Sequence, residues 1–167
     1  MRKFIMIFAL CGFSYLVPES EVIALINRER PDNKLAINWQ VARLARYRAE
    51  EMQKLNFFGH NSPIYGLPDD MLLRFGIEFS KAGASIALGQ ETAQTVANAW
   101  LTDPKHRVKL LNPSFTHAGV GLSFCEKGLP HWTLLMISCT SNGTRGIEAP
   151  LLPVFNRWDS IEAKSSL

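Results

Sequence analysis

Two imidazoles and a carboxylate are the side chains best suited to chemistry in this chain. His60 lies in Phe57-Phe58-Gly59-His60-Asn61-Ser62-Pro63, and Asp103 precedes His106 by three residues in Trp100-Leu101-Thr102-Asp103-Pro104-Lys105-His106. Brought together, two histidines and one carboxylate could hold a zinc-type divalent ion with an open coordination position. Hydrolysis would need more, because a general base must also reach the metal-bound water. No catalytic cysteine, Ser-His-Asp set or pair of glutamates offers another mechanism. Each of the three residues also has a purely structural role open to it. His60 could cap backbone in its own loop, and Asp103 could be the N-cap of a short helix with Pro104 in its first position. His117 and His131 read as strand-edge residues, and Glu91 as charge in the first turn of a helix.

The elements that must position these groups follow from periodicity. A first helix runs from Ser20 through Val22, Ile23 and Ile26 to about Arg30, ahead of Pro31. Leu35 and Ile37 lead into Asn38, an N-cap for a long helix from Trp39 to about Leu55. Its apolar stripe is Val41, Leu44, Ala45, Met52 and Leu55, interrupted by Arg48, while Arg43, Arg46 and Glu50 read as a solvated face. Phe57 to Pro68 is a loop, Pro68-Asp69-Asp70 starts a short helix that Gly76 stops, and Lys81 to Gly89 is a small-residue stretch. Thr92 to Leu101 is helical with Val96, Ala97 and Trp100 inward. An Asn112-Pro113 turn follows, then Gly119-Val120-Gly121 opens a hairpin whose apolar positions are Leu122, Phe124, Trp132, Leu134 and Met136.

Composition bounds the rest. At 167 residues, 47% hydrophobic and 20% charged, the chain fits one domain with a sizeable core. A net charge of +3 with no extended basic run argues against nucleic acid as a partner. Arg2 and Lys3 followed by the apolar run Phe4–Val17 read as an export signal over residues 1–19, too short for a membrane span of about 20 residues. Any membrane attachment would come through that segment left uncleaved, since Leu10 is too bulky for a lipid-modified Cys11. The domain is expected over residues 20–140, with a tail over 141–167 whose apolar part, Pro150 to Trp158, docks on the body. Cys125 and Cys139 fall on one hairpin but are offset by roughly seven residues, or about 23 Å. A bridge tolerates about 7 Å between Cα atoms, so the two are not expected to pair.

The order of motifs resembles the CAP superfamily of cysteine-rich secretory proteins, antigen 5 and pathogenesis-related 1, and is most similar to compact secreted bacterial-type members. The matching stretch runs from about Ser20 to Ser138. It includes Ile26-Asn27-Arg28, Phe58-Gly59-His60-Asn61-Ser62-Pro63, Gly83-Ala84-Ser85-Ile86-Ala87-Leu88-Gly89, Trp100 with His106-Arg107, Leu110-Leu111-Asn112-Pro113, Gly119-Val120-Gly121 and Trp132-Thr133. The resemblance implies an α+β fold, a three-layer α-β-α sandwich of the CAP/SCP type, with a cleft of two histidines and two acids that holds a divalent metal in some members. His60 and His106 match the histidines and Asp103 matches one acid. Ala84 stands where the family carries the other, and Ser85 where it carries asparagine.

That departure weakens the metal reading and leaves no obvious base for hydrolysis. The expected function is a secreted, periplasmic or extracellular module that binds a lipid, glycan or envelope component without catalysis. The alternatives are a metal-dependent hydrolase of an extracellular peptide or cell-wall polymer, and a structural envelope protein with a vestigial site. The cofactor the resemblance implies is a weakly bound divalent metal such as zinc, held at His60, His106 and Asp103.

Overall fold

A computed structural model describes residues 16–124 and 128–139. The export segment up to residue 15, Cys125 and the tail from residue 140 lie outside the described residues, and with them the expectations about cleavage, docking and Cys125 pairing. The elements are α1 (Leu16–Arg28), β1 (Ala36–Ile37), α2 (Trp39–Lys54), α3 (Pro68–Arg74), β2 (Lys81–Leu88), α4 (Ala93–Thr102), α5 (Pro104–Leu110), β3 (His117–Ser123) and β4 (His131–Ser138). The strands form one sheet in the order β1-β3-β4-β2, with β1 parallel to β3 and the other pairs antiparallel.

Apolar faces divide the core in two, which makes three layers. On one side α1, α4 and α5 pack on Ala118 and Val120 of β3 and on Trp132, Leu134 and Met136 of β4. On the other side α2 and α3 pack on Ala84 of β2 and on Leu135 and Ile137 of β4. A central strand between two helix layers has no solvent face, so Trp132 to Ser138 are buried without interruption. Phe124, expected to point inward, is exposed beyond the end of β3.

Local signals explain most boundaries. The Asn38 side chain accepts hydrogen bonds from Gln40 N and Val41 N and so starts α2. Thr92 caps α4, accepting from Thr95 N at 3.1 Å. The φ of +72° at Gly76 lets the chain leave α3 without strain. Gly119 and Gly121 face α2 so closely that a Cβ at either would overlap helix backbone, at Ala42 N and at Arg46 N respectively. The Gly-Val-Gly pattern thus records a helix lying directly on a strand.

Three further sequence expectations change. The stretch Lys81–Gly89 contains strand β2, paired along its whole length from Lys81↔Ser138 to Leu88↔His131. α1 begins at Leu16, inside the segment assigned to export, and Glu19 is buried, accepting from Leu122 N and pairing with Arg46. Arg46 is therefore half of an ion pair that pins α1 to α2, more than a solvated charge. Third, Arg48 does not interrupt the buried face of α2. It lies 2% exposed within it, ion-paired to Glu51, which is 0% exposed.

Candidate functional site

β2 is an edge strand, and the groove of interest runs along its free edge between the two helix layers. The opening of about 380 Å³ is lined on one side by His60, Leu67, Pro68 and Asp69, and on the other by Lys109, Asn112 and Phe115, with Lys81 to Ala84 as its floor. Two edge carbonyls of β2 are already taken from the α4–α5 layer. Lys109 Nζ donates to Ala84 O at 2.6 Å, and Trp100 Nε1 donates to Ile86 O at 3.1 Å.

Each wall has a buried polar anchor. The His60 loop is held from α2, where Arg48 donates to the carbonyls of Gly59 (3.2 Å) and His60 (3.0 Å). Glu51 pairs with Arg48 and accepts from the Ser62 hydroxyl. Ser62 Oγ in turn accepts from Ile64 N at 3.0 Å and Tyr65 N at 2.7 Å, closing the turn. A buried charge pair is tolerable because its hydrogen-bonding capacity is so widely satisfied. The opposite wall depends on Arg30, whose guanidinium donates to Leu110 O (2.5 Å), Asn112 O (2.9 Å) and Phe115 O (2.8 Å). Burial lowers the pKa of Arg30 from its ordinary value. α5 and the turn after it are thereby fixed against the turn that follows α1.

Against this frame the three expected site residues separate. His60 and His106 belong to one neighbourhood, close enough for the charge of His106 to disfavour protonation of His60. His106 is half-buried, and its Nδ1 lies 3.0 Å from Ser85 Oγ on the sheet. Asp103 does something else. Its Oδ1 accepts from Lys105 N at 2.7 Å and from His106 N at 3.3 Å, so the carboxylate is the N-cap of α5, and those bonds hold its pKa down. Among the described residues no group of three or more His, Cys, Asp or Glu side chains could hold a metal ion. The donor set as arranged does not fit one. Position 84 is an alanine and offers no side-chain ligand, Asp103 is engaged as a cap, and the ammonium of Lys109 sits at the Ala84 carbonyl.

Lys109 is the residue the sequence reading missed. It follows His106 by one helical turn, so the two share a face of α5. Desolvation lowers the pKa of Lys109. Although His60 is exposed as a whole residue, crowding around its imidazole lowers its pKa first, followed by the charges of Lys109, His106 and Arg48. For His106, burial lowers the pKa, Asp103 raises it and Lys109 lowers it. Both imidazoles thus favour the neutral form in a cleft that is already positive.

The remaining histidines begin strands: His117 opens β3 and His131 opens β4. Cys139 is a free thiol, with Sγ 3.0 Å from His117 Nδ1 at the end of the sheet away from the hairpin turn.

The chain that builds these layers matches a known family. The family model described as CAP, the Cysteine-rich secretory protein family, matches residues 23–136. The chain belongs to that family. The YkwD protein of Bacillus subtilis (strain 168) is 42% identical over 113 residues, covering 66% of this chain and 43% of the relative. An extracellular protein containing an SCP domain from Bacillus anthracis str. Ames superposes with a TM-score of 0.66 at 30% identity, over 75% of this chain and 41% of the other. An outer surface protein of Borrelia burgdorferi superposes with a TM-score of 0.64 at 21% identity, over 72% and 89% of the two chains, and shares the fold. The chain spans less than half the length of the curated relatives it matches. Among the described residues of this CAP domain, no helix is long and apolar enough to cross a membrane.

Proposed function

We propose that this CAP domain works outside the cytoplasm as a non-catalytic module whose edge-strand groove binds an envelope component, a lipid or a glycan. The observation that carries this reading is the groove itself: apolar and cationic side chains line it, with no acid set beside the histidine pair. Leu67, Pro68 and Phe115 supply apolar contact, Lys81 and Lys109 supply charge, and His60 supplies a neutral hydrogen-bonding ring. Such a mixture suits recognition. The acid in the lining, Asp69, is exposed in the first turn of α3. Export is supported by the basic and apolar segment ahead of the domain and by the extracellular description of the Bacillus anthracis relative. A cleavage point ahead of Glu19 would keep the carboxylate that ties α1 to α2 and β3.

The expected result is retention of the full chain on one class of membrane lipid or cell-wall fragment, weakened at least about tenfold by Leu67→Ser combined with Lys81→Gln. Both side chains are exposed, so the double variant should fold. Hydrolysis of a peptide or cell-wall polymer, restored by zinc after chelation, would replace this reading with the metal-dependent hydrolase. Retention indifferent to the double variant would remove the groove from the function.

A further inference from the structure

We infer that the groove along β2 is an oxyanion site that takes a phosphate group. The inference deepens the binding-module reading and rests on it.

The floor presents donors. In an antiparallel ladder the N–H and C=O of one residue point the same way. Since Ala84 O turns off the sheet to meet Lys109 Nζ at 2.6 Å, the Ala84 amide N–H faces the groove as well. The Lys109 ammonium has three N–H donors, and the Ala84 carbonyl takes one. Lys81 stands at the same rim, with Nζ 5.3 Å from the centroid of the Phe115 ring. His60 faces them from the other wall.

Charge points the same way. The ion pairs among the described residues are Arg46–Glu19, Arg48–Glu51 and Arg107–Glu29. Neither Lys81 nor Lys109 is in that set, although Lys109 is half-buried. A half-buried ammonium without a carboxylate partner is costly, and a bound anion supplies what is missing. Among the described residues, two lysines, a neutral imidazole and one acid line the groove. Asp69 opposes an anion and should weaken its binding. A divalent cation would meet the lysine charges with no carboxylate at position 84 to offset them.

The geometry favours phosphate over carboxylate. Among the described residues no arginine lines the groove, so they offer no flat two-pronged fork of the kind that matches a carboxylate. Two flexible ammonium groups, an imidazole and a backbone amide converge from separate elements, which suits an anion with several oxygens around one centre.

The test is titration of the full chain with inorganic phosphate at low ionic strength, followed by amide and histidine NMR shifts. Binding should perturb Ala84, His60 and Lys109 together. Lys109→Gln should weaken it about tenfold or more, as loss of a charge-assisted contact does. Lys109→Arg should restore most of the affinity, Lys81→Gln should weaken it without touching the Ala84 contact, and Asp69→Asn should tighten it. Co-sedimentation with phosphatidylglycerol vesicles separates the sources. Retention that inorganic phosphate competes away assigns a lipid headgroup, and binding to the free ion alone assigns a soluble phosphate. No shift with phosphate, or equal affinity in wild type, Lys109→Gln and Lys81→Gln, overturns the inference. If envelope fragments are still retained through the groove in that event, the binding-module reading survives it. Zinc bound more tightly than phosphate by the wild type also overturns the inference.

Discussion

Gly121→Ala should abolish folding of the domain, with a loss of more than about 4 kcal/mol, near the upper end for single substitutions. β3 is central in the sheet, and Gly121 is where α2 lies on it. An added Cβ would overlap Arg46 N, Arg46 Cα and the Ala45 carbonyl carbon, all well inside the 3.0 Å below which real Cβ contacts essentially never fall. These are backbone atoms in mid-helix, so no side chain can swing aside to relieve them. The helix would have to lift, separating Val41, Leu44 and Ala45 from Leu135 and Ile137. Gly59→Ala is the control, because a Cβ there meets nothing within 4 Å. Chemical denaturation should show Gly59→Ala within about 1 kcal/mol of wild type. A folded Gly121→Ala protein of near wild-type stability would show that α2 does not rest on β3.

Trp100→Ala should cost about 3–5 kcal/mol. Trp100 is 1% exposed, in the cluster that joins α1, α4 and the sheet. Its removal leaves a large void and also strips the Ile86 carbonyl of its indole donor. Trp100→Phe separates the two effects. It keeps most of the ring and loses the hydrogen bond, so it should cost about 1–2 kcal/mol. A loss below about 1 kcal/mol for Trp100→Ala in urea unfolding would mean that α4 does not anchor this half of the core.

Much of the frame was legible because its signals are local. Asn38 ahead of an apolar stripe, and Asp103-Pro104 at a helix start, specify boundaries through backbone chemistry within a few residues. β2 was not, because Lys-Ala-Gly-Ala-Ser-Ile-Ala-Leu has few β-branched residues and becomes a strand by pairing with β4. The burial of Arg48 and Glu51 was equally hidden. Charges on a helix read as solvated until a loop eleven residues away supplies carbonyls and a hydroxyl for them. Of the site, the shared neighbourhood of His60 and His106 came through the family resemblance, and the cap role of Asp103 through local pattern. Lys109 was readable as a neighbour of His106 on α5. That it meets Ala84 depends on where α5 docks against the edge of the sheet, which Arg30 determines from the turn after α1.

The central claim is that His60 faces a cationic cleft built by α5, and the titration of His60 tests it most directly. Burial of the imidazole lowers its pKa first, and the nearby Lys109 ammonium disfavours the imidazolium further. NMR of the wild type should therefore show His60 titrating below the ordinary 6.5, and Lys109→Gln should move it up towards that value. A His60 that titrates at or above 6.5 in the wild type and does not move in Lys109→Gln would contradict the account.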